Sequence, residues 1–157
     1  MKSKTELLDK TKKKRILEKL EKDYGVSKLP HLFIKTAKNK YRIYSGSLSK
    51  EEIIELVKNV NVELIGTRLC TIDDDDVRLT FDIMNLPIIK KQINKNIFEI
   101  HDNEVENRLR GNNIEIETKH DNKFLAIKHK KDFLGIGMNQ RDHIKNYVPK
   151  ERRIKGK

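Results

Sequence analysis

The residues whose chemistry points most clearly to a function are the basic ones concentrated at the C-terminal end of the chain. Residues 119–157 hold 12 Lys or Arg against 4 Asp or Glu, which gives this segment +8 of the chain's net charge of +11. Lys and Arg side chains bind phosphate oxygens, and the Arg guanidinium can do so through two parallel hydrogen bonds. The charge asymmetry therefore predicts a surface that binds phosphate groups, as in a nucleic-acid-binding protein.

Few residues favour catalysis or metal binding. Cys70 is the only cysteine, which excludes a disulfide within the chain and a cysteine-based zinc site. Its place at the end of an apolar strand predicts a small buried side chain rather than a nucleophile. The four consecutive aspartates 73–76 predict a solvated loop, because neighbouring side chains in an extended chain point apart and do not converge on a cation. No His lies in a metal-binding spacing, so no metal or cofactor is expected.

The size and composition favour a small folded protein with a polyanionic partner. The chain has 157 residues and a pI near 9.6, enough for one domain of ordinary size or two small ones. Nucleic acid, an anionic membrane or an acidic protein would suit the positive charge. No apolar run reaches the roughly 20 residues needed to cross a bilayer, and the N-terminus lacks the apolar core of a secretory signal. A cytoplasmic location is therefore expected.

Hydrophobic periodicity predicts an α/β unit in the first half. A capping box at Ser49 and Glu52 marks the start of its second helix, and Gly25 is the expected end of its first. The aspartate loop is expected to cap a further helix that stops before Pro87. The predicted elements are a helix at 5–24, strands at 32–34 and 41–44, a helix after Ser49, a strand at 62–69, and a helix around residues 79–84.

The second half is predicted to follow the order β-α-β-β-β-β. Residues 87–95 mark the expected boundary, giving an N-terminal domain of residues 1–87 and a C-terminal domain of residues 88–157. Gly135 and Gly137 are expected to allow a bulge or a close backbone approach, and a flexible tail is expected after Pro149. The predicted elements are strands at 97–100, 114–116, 124–127, 133–137 and 144–148, with a short helix that ends at Gly111.

Several short motifs in this order resemble a known family. Residues 104–111 (EVENRLRG), 124–127 (FLAI) and 133–137 (FLGIG) resemble a PUA-like domain, the small pseudo-barrel attached to RNA-modifying enzymes. The ending IKNYVPK, residues 144–150, is similar to the C-terminal domain of Fmu/Sun-type RNA cytosine-5 methyltransferases, the RsmF-like group. The stretch LEKDYGV, residues 20–26, resembles the region that leads into that domain. The resemblance covers residues 15–154 and implies an α+β fold whose second half is a mixed β pseudo-barrel that holds RNA.

The sequence departs from that group in the parts that perform its reaction. The glycine loop for S-adenosylmethionine and the Pro-Cys catalytic pair are missing, and Asn112, Asn113 and Ile114 stand where many PUA domains have Pro-Gly-Val. The resemblance thus implies an RNA-holding part without the methyltransferase core. The resemblance and the charges together predict these RNA-binding residues: Arg108, Arg110, Gly111, Lys130, Lys131, Arg141, Lys145, Asn146, Lys150, Arg152 and Arg153.

Three functions follow as hypotheses. The first is a non-catalytic RNA-binding protein for structured RNA, either rRNA or tRNA, in RNA modification or ribosome assembly. The second is an adaptor that docks a separate RNA methyltransferase or other modification enzyme through apolar positions of the first half such as Ile53 and Leu56. The third is a small hydrolase that uses Cys70 or His31. A merely solubilising surface is the alternative to the phosphate-binding one, and it fits poorly because residues 1–118 carry only +3.

Overall fold

The computed structural model describes residues 5–60, 62 and 64–156, and it contains two five-stranded sheets with helices packed against them. The predicted α+β fold class is confirmed. In the first half the sheet is antiparallel, and its strands lie side by side in chain order. Its elements are β1 (Glu6–Leu7), α1 (Lys10–Tyr24), β2 (Leu32–Ala37), β3 (Lys40–Tyr44), α2 (Lys50–Asn59), β4 (Thr67–Asp73) and β5 (Asp76–Leu79).

The helix ends of the first half follow their sequence signals. Ser49 and Glu52 form the predicted capping box, in which each side chain accepts a hydrogen bond from the other residue's backbone N–H. Gly25 ends α1 with φ of +86°, a left-handed conformation that glycine adopts without strain. Helix α1 begins later than predicted, at Lys10, because Asp9 caps it and Glu6 and Leu7 form β1.

The helix predicted after the aspartates is wrong. Asp74 takes a positive φ of +56° in a tight turn, and the chain returns as β5 rather than starting a helix. Val77 and Leu79 alternate with exposed or half-exposed neighbours, which is the period of a strand. A 3₁₀ helix, Asp82–Asn85, is the only helical turn in that region as described. The strand predicted at 62–69 begins later, at Thr67, and its residue 63 lies outside the described residues.

The second half has the predicted β-α-β-β-β-β order. Its sheet runs β6-β8-β9-β10-β7, with β6 parallel to β8 and the other pairs antiparallel, and it curls into a mixed half-barrel. A short helix precedes it and a 3₁₀ turn follows it. The elements are α3 (Pro87–Lys90), β6 (Ile97–Glu99), α4 (Asp102–Leu109), β7 (Ile114–Glu115), β8 (Phe124–His129), β9 (Asp132–Asn139), β10 (His143–Asn146) and the 3₁₀ helix Lys150–Arg152.

The two halves share one hydrophobic core. Tyr24, Leu69 and Val77 from the first half belong to the same buried cluster as Phe133 from the second. The side chain of Asn85 also completes the edge of β9, since its amide donates to the Phe133 carbonyl at 2.8 Å and its oxygen accepts from the Phe133 N–H at 2.9 Å. The domain boundary between residues 87 and 88 stays a prediction, and the shared core passes across it.

Helices of the described part of the chain are all too short or too polar to span a bilayer.

Candidate nucleic-acid interface

The last strand, β10, alternates buried and exposed side chains. Ile144 and Asn146 point into the fold, whereas Lys145 is exposed. Its ammonium lies 5.8 Å from the centre of the Tyr147 ring, a distance at which a cation is attracted to an aromatic face. A strand paired on both sides fixes the direction of Lys145, as a rigid phosphate-binding site requires.

Arg108 lies inside the protein, contrary to the predicted phosphate contact. Its side chain is fully buried, and its guanidinium donates to the Leu134 carbonyl at 3.1 Å and to the Ile136 carbonyl at 2.7 Å. These carbonyls lie on β9 beyond the point where β10 stops pairing with it at Gly137, so the guanidinium supplies donors that a strand would otherwise provide. Burial lowers the Arg108 pKa to about 10. Arg108 is therefore a structural residue.

Asn146 is likewise structural rather than RNA-binding. Its amide nitrogen donates to the carbonyls of Arg108 at 2.7 Å and Asn112 at 2.8 Å, and its side-chain oxygen accepts from the Val148 N–H at 2.8 Å. These bonds satisfy the carbonyls at the end of α4 and tie the helix to the last strand. With its amide fully engaged and 8% of its surface exposed, Asn146 has no donor left for a phosphate or a base.

Gly111 brings the end of α4 against the C-terminal segment, as predicted for the turn beside the last strand. Its φ is +93°, and a Cβ at this position would lie 2.6 Å from the Arg153 guanidinium. Arg110, the residue before it, is exposed and bonded to Glu106 at 2.7 Å. The absence of a Cβ at Gly111 thus lets the Arg153 side chain pack against the turn that follows Arg110.

The predicted flexible tail is wrong for the described residues after Pro149. The chain forms a 3₁₀ turn, Lys150–Arg152, and the Ile154 N–H donates to the Leu109 carbonyl at 2.9 Å. The Arg153 side chain also donates to the Val148 carbonyl at 2.9 Å. The first bond supplies a donor for a carbonyl at the end of α4 and the second for a carbonyl after β10, so the segment is held against the domain. Lys157 lies outside the described residues.

The other predicted cations are spread over distant edges. Lys130 and Lys131 form the turn between β8 and β9, and Arg141 lies in the turn after β9. Because β9 has eight residues, its two ends lie about 25 Å apart. The eleven predicted residues therefore do not form one patch. The remaining five predicted cations lie at the end of α4, on β10 and in the segment after Pro149, and we call them the basic rim: Arg110, Lys145, Lys150, Arg152 and Arg153.

The predicted cations also differ in whether they already form an ion pair with a carboxylate. Arg152 pairs with Asp82 at 3.1 Å, and Lys130 lies 3.5 Å from Asp102. Among the described residues, no carboxylate lies within 4.0 Å of Lys145, Lys150 or Arg153. A phosphate binding these three displaces no existing ion pair, which makes them the strongest members of the basic rim.

The sequence interpretation missed a group of cations packed on aromatic rings beside Lys145. Phe124 and Tyr147 meet edge to face at 6.0 Å, and the Arg78 guanidinium lies 4.9 Å from the Tyr147 ring. Lys123 lies 5.6 Å from the Phe124 ring. The available signal was the alternation of Val77, Arg78 and Leu79, which places Arg78 on the outer face of a strand. Treating that stretch as helical concealed it.

The two residues considered for catalysis, Cys70 and His31, lie in different surroundings. Cys70 is fully buried, as predicted, and burial raises the pKa of its thiol to about 12. It is therefore a neutral thiol near pH 7. Burial, and then the charge of Lys13, lowers the pKa of His31. Within the described ranges no three His, Cys, Asp or Glu side chains converge on a possible metal site.

Comparison with known families agrees with this geometry. Residues 95–154 match the family model described as the methyltransferase RsmF PUA domain. This part of the chain is a PUA-like domain. The predicted resemblance is thereby confirmed for β6 through the 3₁₀ turn, and the PUA-like domain implies RNA binding. No curated protein matches the chain.

Proposed function

We propose that this protein binds structured RNA, either tRNA or rRNA, without catalysing a reaction, and that it acts in RNA modification or ribosome assembly. The match to a PUA domain over residues 95–154 carries the proposal. Residues 119–157, most of which lie within that segment, carry +8 of the chain's net charge of +11. Both observations concern the part of the chain that contains the basic rim, and RNA is the polyanion that a PUA-like domain holds.

Binding would begin with phosphates rather than bases. Arg110 and Arg153 offer guanidinium forks, and Lys145 and Lys150 offer ammonium groups on either side of Pro149. Contacts of this kind set the position and orientation of an RNA but carry little sequence information. Lys130, Lys131 and Arg141 would add contacts only for an RNA long enough to reach both ends of β9. This favours a folded RNA over a short single strand.

RNA titrations test the proposal directly. Anisotropy of fluorescent tRNA and of an rRNA hairpin should show tighter binding than a poly(U) strand of equal length. Lys145→Glu should weaken tRNA binding about 10-fold or more, because it replaces an attraction with a repulsion at the phosphate. Lys38→Glu, an equal charge reversal at an exposed turn of the first half, is the matched control. Equal affinity for all polyanions, or equal effects of both variants, would contradict a defined RNA site.

The adaptor function is supported by a different surface. Leu56 is 37% exposed and Leu64 75% exposed, on and after α2, together with Ile54 and Val60. Ile53, however, is 1% exposed and belongs to the interior, so it does not contribute to such a surface. Leu56→Glu should abolish capture of a modification enzyme by the immobilised protein while tRNA affinity stays unchanged. Capture that survives the substitution would remove this alternative.

A further inference from the structure

A cleft of about 210 Å³ lies where the two halves of the molecule meet. The first half contributes Arg68, Thr71 and Arg78 to its walls, and the PUA-like domain contributes Tyr147 and Pro149. Its polar walls thus come from the first half, outside the segment that matches the family. The cleft is smaller than the roughly 300–1,000 Å³ of pockets for drug-sized ligands, and it suits a small group such as one phosphate.

Arg68 lines the cleft, and few neighbouring groups stabilise its positive charge. In the register of the sheet it lies directly opposite Arg42 on β3, a like-charged pairing that costs stability. Arg42 donates to the carbonyls of Ile65 at 2.8 Å and Gly66 at 2.6 Å. Within the described part of the chain, the Arg68 side chain makes a single hydrogen bond, a long one of 3.4 Å to the Thr71 hydroxyl. An anion in the cleft would relieve the repulsion between the two arginines.

Arg78 is held in position by aromatic rings. Its guanidinium lies 4.9 Å from the centre of the Tyr147 ring and 6.0 Å from that of Phe124. A guanidinium stacked on a ring keeps the N–H donors at its edge available for an anion. Among the described residues, no carboxylate lies within 4.0 Å of Arg68 or Arg78. Both arginines therefore line the cleft without an ion pair to compensate their charge.

We propose that this cleft binds an RNA phosphodiester between Arg68 and Arg78, so that the first half of the protein takes part in holding the RNA. The proposal rests on the proposed function and extends it from the PUA-like domain to the β4–β5 hairpin. Lys145 connects the two surfaces, because it approaches the same Tyr147 ring that Arg78 contacts. One RNA strand can then run from the basic rim, past Lys145 and Tyr147, into the cleft.

The test compares tRNA affinities of Arg68→Ala, Arg78→Lys and the control Lys38→Ala at one salt concentration. Losing a charge-assisted hydrogen bond from Arg68 should raise the Kd about 10-fold. It should also reduce the log–log salt slope by about 0.7–0.9. Arg78→Lys keeps the charge but loses the fork, so we expect a smaller increase in Kd. Lys38→Ala should change neither quantity by as much. Melting temperatures confirm that each variant is folded.

A second measurement uses the unaltered protein. Ultraviolet crosslinking of bound tRNA, mapped by mass spectrometry, should place a crosslink on Tyr147 or Phe81, the aromatic residues that line the cleft. If the unaltered protein binds tRNA but both cleft variants behave like Lys38→Ala and no crosslink maps to these residues, the cleft proposal is overturned and RNA binding stands. If the unaltered protein fails to bind RNA at all, the proposed function itself is overturned.

Discussion

The interior and the rim of the PUA-like domain use the same residue types for opposite purposes. Arg108 is fully buried and bonded to backbone carbonyls, whereas Arg110, two residues later, has a side chain that is 39% exposed. Asn146 is buried and Lys145, beside it, faces solvent. The interior pair holds the fold together, and the rim pair is exposed, as the proposed contact with RNA requires. Counting positive charges along this segment therefore overstates the binding surface, because part of the charge holds the domain together.

The interior pair works as one unit. Asn146 donates to the backbone carbonyl of Arg108, and the Arg108 side chain in turn donates to Leu134 and Ile136 on β9. Gly135 lies between these two acceptors with φ of +83°, and a Cβ there would lie 2.8 Å from the Phe81 ring. The bulge expected at this glycine thus leaves the neighbouring β9 carbonyls available to the Arg108 guanidinium. It also lets Phe81 of the first half pack against the strand.

Replacing Arg108 should cause the largest loss of stability. Arg108→Met keeps an unbranched apolar stem but leaves two buried carbonyls without donors, so the free energy of unfolding should fall by about 3–4 kcal/mol. Urea denaturation measures the change, with Arg110→Met as control. That exposed residue has one surface ion pair, worth about 0.5 kcal/mol. The tRNA Kd of folded Arg108→Met should stay within about twofold, since the guanidinium never reaches RNA. A large loss of affinity in a folded variant would place Arg108 on the rim.

Asn146→Ala should have the next largest effect. It leaves the carbonyls of Arg108 and Asn112 and the N–H of Val148 without their partners. Buried groups left unsatisfied cost stability, and we expect a loss of about 2–3 kcal/mol in the same urea titration. Asn146→Asp distinguishes the donor from the acceptor, because it keeps the oxygen that accepts from Val148 and loses the amide N–H groups. If Asp restored full stability, the two carbonyl contacts would not matter.

Cys70 offers an interior test in the first half. Cys70→Ala should cost at most about 1–2 kcal/mol, because a small buried side chain is shortened, and should leave RNA binding and any cellular role intact. In the unaltered protein the buried thiol, with its pKa raised to about 12, should resist a thiol reagent at pH 8 and react fully in denaturant. Complementation that fails with a folded Cys70→Ala variant would restore the enzyme hypothesis.

The smallest effects are expected on the rim, in RNA affinity rather than stability. Lys145→Ala combined with Lys150→Ala should weaken tRNA binding about 5- to 10-fold, which is roughly 1–1.4 kcal/mol. Removing residues 155–157 also eliminates two lysines but should weaken binding less. Lys145 lies on β10 and Lys150 in the 3₁₀ helix, and residues fixed by such elements lose less entropy on binding. Arg110→Ala should weaken it too. The dissociation constants of these variants, measured at one salt concentration, test this order. If the truncation weakened binding more than the other changes, RNA would be attracted nonspecifically to a polycation.

The sequence was a good guide where a local signal decides the structure. The capping box at Ser49, the end of α1 at Gly25 and the strands of the second half all follow from spacing and turn residues. Arg108 was predicted to lie on the surface because arginine is rarely buried. Its buried guanidinium finds hydrogen-bond acceptors in carbonyls of β9 that are free only because of the bulge in that strand. Arg78 was missed because aspartates at a hairpin turn resemble the start of a helix. The docking of residues after Pro149 depends on Leu109 and Gly111, which are distant in sequence.

The salt dependence of tRNA binding, measured for the unaltered protein and two variants, tests most directly whether the exposed rim binds RNA phosphates. With four to six contacts of about 0.7–0.9 log units each, the slope of log affinity against log salt should be about −3 to −5. Lys145→Ala with Lys150→Ala should bring the slope closer to zero by about 1.4–1.8, and Arg108→Met should leave it unchanged. A slope near zero in the unaltered protein, or a slope altered by Arg108→Met and not by the lysine pair, would contradict the division between interior and rim.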